Sequence, residues 1–150
     1  MVILTDSDKQ DLIDNAKNKA PEKVKNLASK VKSEKDVQKA LDAYEKKQSN
    51  VDNKLKRGTS SSSFKTLKNN INDTVSLLKD VLNKKYKVQW STIAILTAGL
   101  VYAFSPVDLI PDVIPVIGVV DDITVLYYVF NALKDELEKY REWKEENNGL

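Results

Sequence analysis

The sequence predicts an all-α protein in which amphipathic helices pack with a C-terminal apolar helical hairpin joined by a Pro/Asp-rich turn. Three observations carry this expectation. Apolar residues recur at three- and four-residue spacing through the first 82 positions, the period of a helical stripe. No segment alternates with period two between hairpin turns, so no sheet is expected. Two strongly apolar stretches, 93–104 and 123–133, flank a segment rich in proline and aspartate.

Leu12, Ile13 and Ala16 begin one stripe, and Val24, Leu27, Ala28 and Val31 continue at i, i+3, i+4 and i+7. Pro21 lies between them and is expected to break or restart the helix, because proline lacks a backbone donor and clashes with the preceding turn. Ser33 followed by Asp36 has the spacing of a capping box, with Asp in place of Glu. It opens a run of Val37, Ala40, Leu41, Tyr44, Gln48, Val51 and Leu55, nearly a heptad pattern broken by one glutamine. Basic residues through Arg57 suit the C-terminus of that helix. Only about three heptads are available, so packing within the chain is favoured over an intermolecular coiled coil.

The stretch GTSSSS at 58–63 is the clearest interruption. Gly58 can end a helix, the serines suit a linker, and Ser63 can cap the next helix. Phe64, Leu67, Ile71, Val75, Leu78 and Leu82 define the stripe of that helix. The expected organisation is a lysine-rich amphipathic region at 1–57, a Gly/Ser linker at 58–63 and a helical domain at 64–150.

Residues 88–107 contain no charged side chain, a run of 20 positions. A bilayer core about 30 Å thick needs about 20 apolar residues, but Pro106 should end the helix near Phe104. The second arm, 123–133, is shorter still, and lengthening it takes in Asp121 and Asp122. Each Asp at a bilayer centre costs about 2.5–3.5 kcal/mol, which argues against two conventional spans. A hairpin with an acidic tip remains open, with Lys84, Lys85 and Lys87 before it and Lys134, Lys139 and Arg141 after it. Trp90, Tyr102, Tyr127 and Tyr128 would then be interfacial aromatics. The alternative is a hairpin buried inside a bundle and wrapped by the N-terminal helices.

Composition removes several kinds of chemistry. There is no cysteine and no histidine, hence no disulfide, thiol nucleophile, thiolate zinc site or imidazole acid/base. The opening MVILTDSDKQ has no signal-peptide pattern. No glycine-rich phosphate loop, dinucleotide fingerprint or nucleophile elbow is present. Charge is divided: residues 1–87 carry +8 and residues 88–150 carry −6, within a net +2. The basic part suits anionic surfaces or a protein partner, or is simply a set of solvated helix faces. Nucleic acid is disfavoured, because few aromatics lie among the lysines.

Carboxylates in the segment SPVDLIPDVIPVIGVVDD, residues 105–122, admit two accounts. In the first they are caps: Ser105 with Pro106 and Asp108 opens a helix, Asp112 caps a short turn, Gly118 turns the chain, and Asp121 and Asp122 open the last helix. In the second, Asp108, Asp112, Asp121 and Asp122 converge to bind a hard divalent cation such as Mg²⁺ or Ca²⁺, or to serve a hydrolytic site. No known metal-loop spacing fits, and no catalytic residue is assigned.

The same residues carry a resemblance. The pattern Tyr102, Ser105, Pro106, Asp108, Leu109, Ile110, Pro111, Asp112, Ile114, Pro115, Gly118, Asp121 and Asp122 resembles the signature of the YkvA family, a small bacterial domain of unknown function. It spans roughly residues 75–145 and leaves the first 60 or so unexplained. The resemblance implies membrane association, at the cytoplasmic side given the basic helices, and implies no enzymatic reaction. A soluble cytoplasmic protein is the alternative.

Overall fold

The computed structural model describes residues 6–104 and 115–148. Among the described residues it has seven helices and no strand, so the all-helical expectation is met. They are α1 (Asp6–Ala28), α2 (Glu34–Lys46), α3 (Gln48–Gly58), α4 (Ser61–Leu82), α5 (Trp90–Phe104), α6 (Pro115–Ala132) and α7 (Lys134–Asn148).

Helix boundaries follow local chemistry, with three departures from expectation. Ser33 is the N-cap of α2, and the Asp36 carboxylate accepts from the backbone N–H groups of Lys32 at 2.8 Å and Ser33 at 3.1 Å. Those bonds seal otherwise orphaned donors, and the one from Lys32 does most to hold the Asp36 carboxyl below its usual range. At Pro21 the expected break does not occur, since α1 runs through it. A helix tolerates proline when packing compensates for one missing bond, and here Ala20 and Val24 are buried on either side. The near-heptad run, by contrast, is two helices divided at Lys47, whose ψ of 18° interrupts the ladder. Gln48, the residue that spoils the stripe, is exposed next to that break.

The third departure concerns the serines. Ser61–Ser63 already belong to the first turn of α4, and Ser60 is its N-cap, with its hydroxyl accepting from the Ser63 N–H at 3.3 Å. Ser63 is therefore the donor to the cap and not the cap. Four consecutive serines offer equivalent capping oxygens, and the winner is the one after which the stripe beginning at Phe64 faces inward.

Helix α4 ends in a Schellman arrangement. Lys85 N–H bonds Asp80 O at 2.9 Å and Lys84 N–H bonds Val81 O at 3.1 Å. Lys84 takes the left-handed position of that motif, with φ 62°. Glycine usually occupies it, and a lysine there costs about 1 kcal/mol. The sequence thus retains a basic side chain at a position that disfavours one.

Helix α5 is the centre of the bundle, touched by α1, α2, α3, α4 and α6, while α1 and α3 also cover α6. A helix apolar on all sides must be buried, and Ile93, Leu96, Ala98, Leu100 and Ala103 are. Small residues let the neighbours come close; a Cβ added at Gly99 would meet Val129 Cγ1 of α6 at 3.0 Å. Thr97, also buried, donates its hydroxyl to Ile93 O at 2.7 Å and so carries no unpaired polar atom into the core. The stripes of α1–α4 complete the same core through Val24, Leu41, Leu55, Leu67 and Leu78. They face the chain's own apolar helices, so the near-heptad run does not make a coiled coil.

The apolar anchor hairpin is likewise not formed. Helix α5 has 15 residues, about 22 Å at 1.5 Å per residue. No helix among the described residues is long and apolar enough to cross a membrane. Helices wrapped around α5 cover most of its apolar surface and bury Ile123, Val125, Leu126, Val129 and Phe130 of α6, while Tyr127 and Tyr128 of α6 stay exposed.

Candidate functional site

Three regions bring chemistry-bearing side chains together. The first is the signature segment and the end of α5. Phe104 is the last residue of α5, the end expected from a proline at 106. Ser105, Pro106, Asp108, Pro111 and Asp112 lie outside the described residues. Pro115 starts α6, the position at which proline's missing N–H costs least. Gly118 is inside α6 and makes no turn, and the first turn of α6 contains no acid. Asp121 and Asp122 therefore do not open a helix; they stand about two turns inside one. The cap account is corrected for these two residues, because the helix begins at Pro115, earlier than the apolar pattern alone indicates. No metal-competent group of three or more acidic residues occurs among the described residues.

What the structure adds is the basic side of this region. Lys54 of α3 is only 4% exposed, and its Nζ donates to Tyr102 O at 3.1 Å. Lys47, at the α2–α3 break, lies over the Phe104 ring at 5.4 Å. The last four carbonyls of a helix lack internal partners and carry partial negative charge, so cations are stabilised there. Sequence position alone assigns Lys54 to the C-terminus of its own helix; in the fold it serves that of α5. The lysine-rich N-terminal helices thus hold the end of α5 from which the signature departs.

The second region joins α4 to α7, and the sequence patterns do not reveal it. Asp80, 7% exposed, accepts from Tyr140 Oη at 2.6 Å and Lys144 Nζ at 2.9 Å. Tyr140 Oη is also hydrogen-bonded to Ser76, and Arg141 pairs with Asp73 and donates to Asn70 at 2.6 Å. Burial pushes the Asp80 carboxyl up, but the bonds from Tyr140 and Lys144 outweigh it and hold the group below its usual range. Burial and then the Asp80 bond push the Tyr140 phenol up, so it remains a protonated donor at neutral pH. Tyr86, Tyr140 and Trp143 pack as an aromatic trio with centroids 4.9–5.8 Å apart. A serine, tyrosine and lysine in contact resemble acid/base machinery. Here, however, Tyr140 is 1% exposed and its hydroxyl is committed to Asp80 and Ser76, so the arrangement works as a strut. Its sequence signal is faint: Ser76 and Asp80, like Tyr140 and Lys144, are four apart on one helix face.

The third region is one end of the bundle, where the α1–α2 and α4–α5 connections meet. Trp90 Nε1 donates to Val31 O at 3.3 Å, and Lys84 pairs with Glu34 at 2.6 Å. These bonds bring Ser29–Ser33 beside Asn83–Gln89. Lys30, Lys32, Lys85 and Lys87 are exposed there, and Trp90 keeps 41% of its surface in solvent.

With this geometry established, comparison with known proteins is informative for the C-terminal part. Residues 92–128 match the model of a protein of unknown function, DUF1232. The chain is also 39% identical over 69 residues to the uncharacterized membrane protein YkvA of Bacillus subtilis (strain 168). That alignment covers 45% of this chain and 65% of the relative, so the chain spans a little less than two thirds of the protein it matches. No solved structure matches. The resemblance read from the signature stands: the segment running from α5 into α6 is YkvA-like, of a family of unknown function.

Proposed function

We propose that this chain is a non-enzymatic helical protein that associates with the cytoplasmic face of a membrane, and that it does so peripherally. The observation that carries this reading is the partition of the molecule: α5 and the face of α6 carrying Ile123, Val125, Leu126, Val129 and Phe130 are interior, while exposed lysines lie on the outside of α1–α4. The +8 charge of residues 1–87 attracts an anionic bilayer without requiring any segment to enter it. The relative's description as a membrane protein supports the location. Lipid headgroups are then the partner, and the signature is a structural junction.

Co-sedimentation with vesicles tests this. The full chain is expected to pellet with vesicles containing phosphatidylserine or phosphatidylglycerol, to ignore purely zwitterionic ones, and to be released as salt rises. Binding indifferent to lipid charge, or none at low salt, contradicts the proposal.

A second reading is a divalent-cation site at Asp108, Asp112, Asp121 and Asp122, resting on the four carboxylates of the signature sequence, with the nearby lysines Lys47 and Lys54 opposing it. Saturable heat on titration with Mg²⁺, Ca²⁺ or Mn²⁺ would favour it over the structural role.

A further inference from the structure

We infer that the membrane-facing part of this protein is the end of the bundle formed by the α1–α2 and α4–α5 connections, with Trp90 as its interfacial anchor and an anionic bilayer surface as its ligand. The inference rests on the peripheral reading above and specifies which surface performs it.

Charge gives the first support. Neither connection contains a carboxylate: one reads Ser-Lys-Val-Lys-Ser and the other Asn-Lys-Lys-Tyr-Lys-Val-Gln. Of the nearest acids in sequence, Glu34 is paired with Lys84, and Asp36 keeps its charge but faces the backbone N–H groups of Lys32 and Ser33. Among the described residues, Lys30, Lys32, Lys85 and Lys87 form no ion pair and are exposed, Lys85 also acting on the Asp80 carboxylate. Glu136 and Lys139 also line the groove beside Lys87, one charge of each sign, so they do not change the net charge of this end. The indole gives the surface its direction. Its N–H is tethered to Val31 O while much of the ring stays in solvent, between lysines on both connections. An amphipathic ring fixed at the rim of a basic patch suits the headgroup layer of a bilayer. The same lysines would attract nucleic acid, but a single aromatic on two short loops offers no platform for successive bases.

The test compares two triple variants of equal charge. Lys32→Ser/Lys85→Ser/Lys87→Ser removes charge from this end. Lys46→Ser/Lys56→Ser/Lys65→Ser removes it elsewhere, with Lys65 about 30 Å away along the 22-residue α4. At about fivefold per lysine near an anionic surface, the first triple is expected to weaken partition to phosphatidylserine vesicles about 100-fold. The second should weaken it less than about tenfold. Vesicles should also shift wild-type tryptophan emission to the blue, and Trp90→Phe should remove that shift while Trp143 remains. If the wild type does not bind vesicles, the peripheral reading itself fails. If it binds but the two triples lose affinity equally, or the shift survives Trp90→Phe, this location is wrong. Duplex DNA that competes with vesicles for the wild type, with no blue shift on either, would assign the patch to nucleic acid and overturn the inference.

Discussion

Leu96→Asp is expected to abolish the cooperative unfolding transition of this protein in aqueous buffer. Leu96 is 0% exposed at the middle of α5, and α5 is surrounded by five other helices. An unpaired carboxylate there costs several kcal/mol in desolvation, and removing the leucine adds about 2–5 kcal/mol. A domain of ordinary stability, about 5–15 kcal/mol, does not survive the sum with its packing intact. Ser91→Asp, in the first turn of the same helix, is the control. Ser91 is exposed, and a carboxylate near a helix N-terminus is mildly favourable. Thermal melts followed by circular dichroism should show a normal transition for Ser91→Asp and none for Leu96→Asp. Were α5 a bilayer anchor, Leu96→Asp would mainly shift partition, since a single Asp costs only about 2.5–3.5 kcal/mol on insertion scales.

Asp80→Ala should have the next largest effect, a loss of about 3 kcal/mol at neutral pH. Asp80 is the shared acceptor for Tyr140 and Lys144, so one substitution releases both α7 contacts from α4. Lys144 is 37% exposed and returns to water at little cost, while Tyr140 retains Ser76. Those residual partners place the value near the low end for breaking a buried charge pair. For a chain of this size the midpoint should fall by about 10 °C. The effect is pH-dependent with a definite sign. The folded pKa of Asp80 lies below the unfolded one, so its stabilisation is complete above about pH 4 and disappears as the pH falls through the folded value. Denaturant melts of wild type and Asp80→Ala should differ at pH 7 and converge as the pH falls below the lowered folded pKa of Asp80. A difference that persists unchanged in acid would mean that the carboxylate is not the stabilising species.

Local signals are legible in the sequence because they act within a few residues. Ser33 and Asp36 at the start of α2 set a helix terminus through immediate neighbours, and α3 ends at Gly58, where the sequence shows its interruption. Pro21 misleads because buried neighbours hold the helix through it. The serine run misleads because equivalent hydroxyls leave register to be chosen by packing. Lys54 and the Asp80–Tyr140–Lys144 strut are hidden for another reason. Their partners are 48, 60 and 64 residues away, and no spacing rule reports such contacts. Periodicity also does not tell a bilayer-facing helix from one enclosed by protein, since both are apolar all round. Burial is what distinguishes them, and the described residues of α5 are covered by neighbouring helices. Of the candidate site, Asp121 and Asp122 fall within α6, while Asp108 and Asp112 lie outside the described residues.

Washing native membranes at about 1 M salt, where the Debye length is only about 3 Å, separates peripheral from embedded attachment. A protein whose greasy helices are its own interior and whose lysines provide the attraction should leave with the wash, folded and free of detergent. Retention until detergent dissolves the bilayer would show that α5 and α6 are embedded in lipid, and would contradict the account.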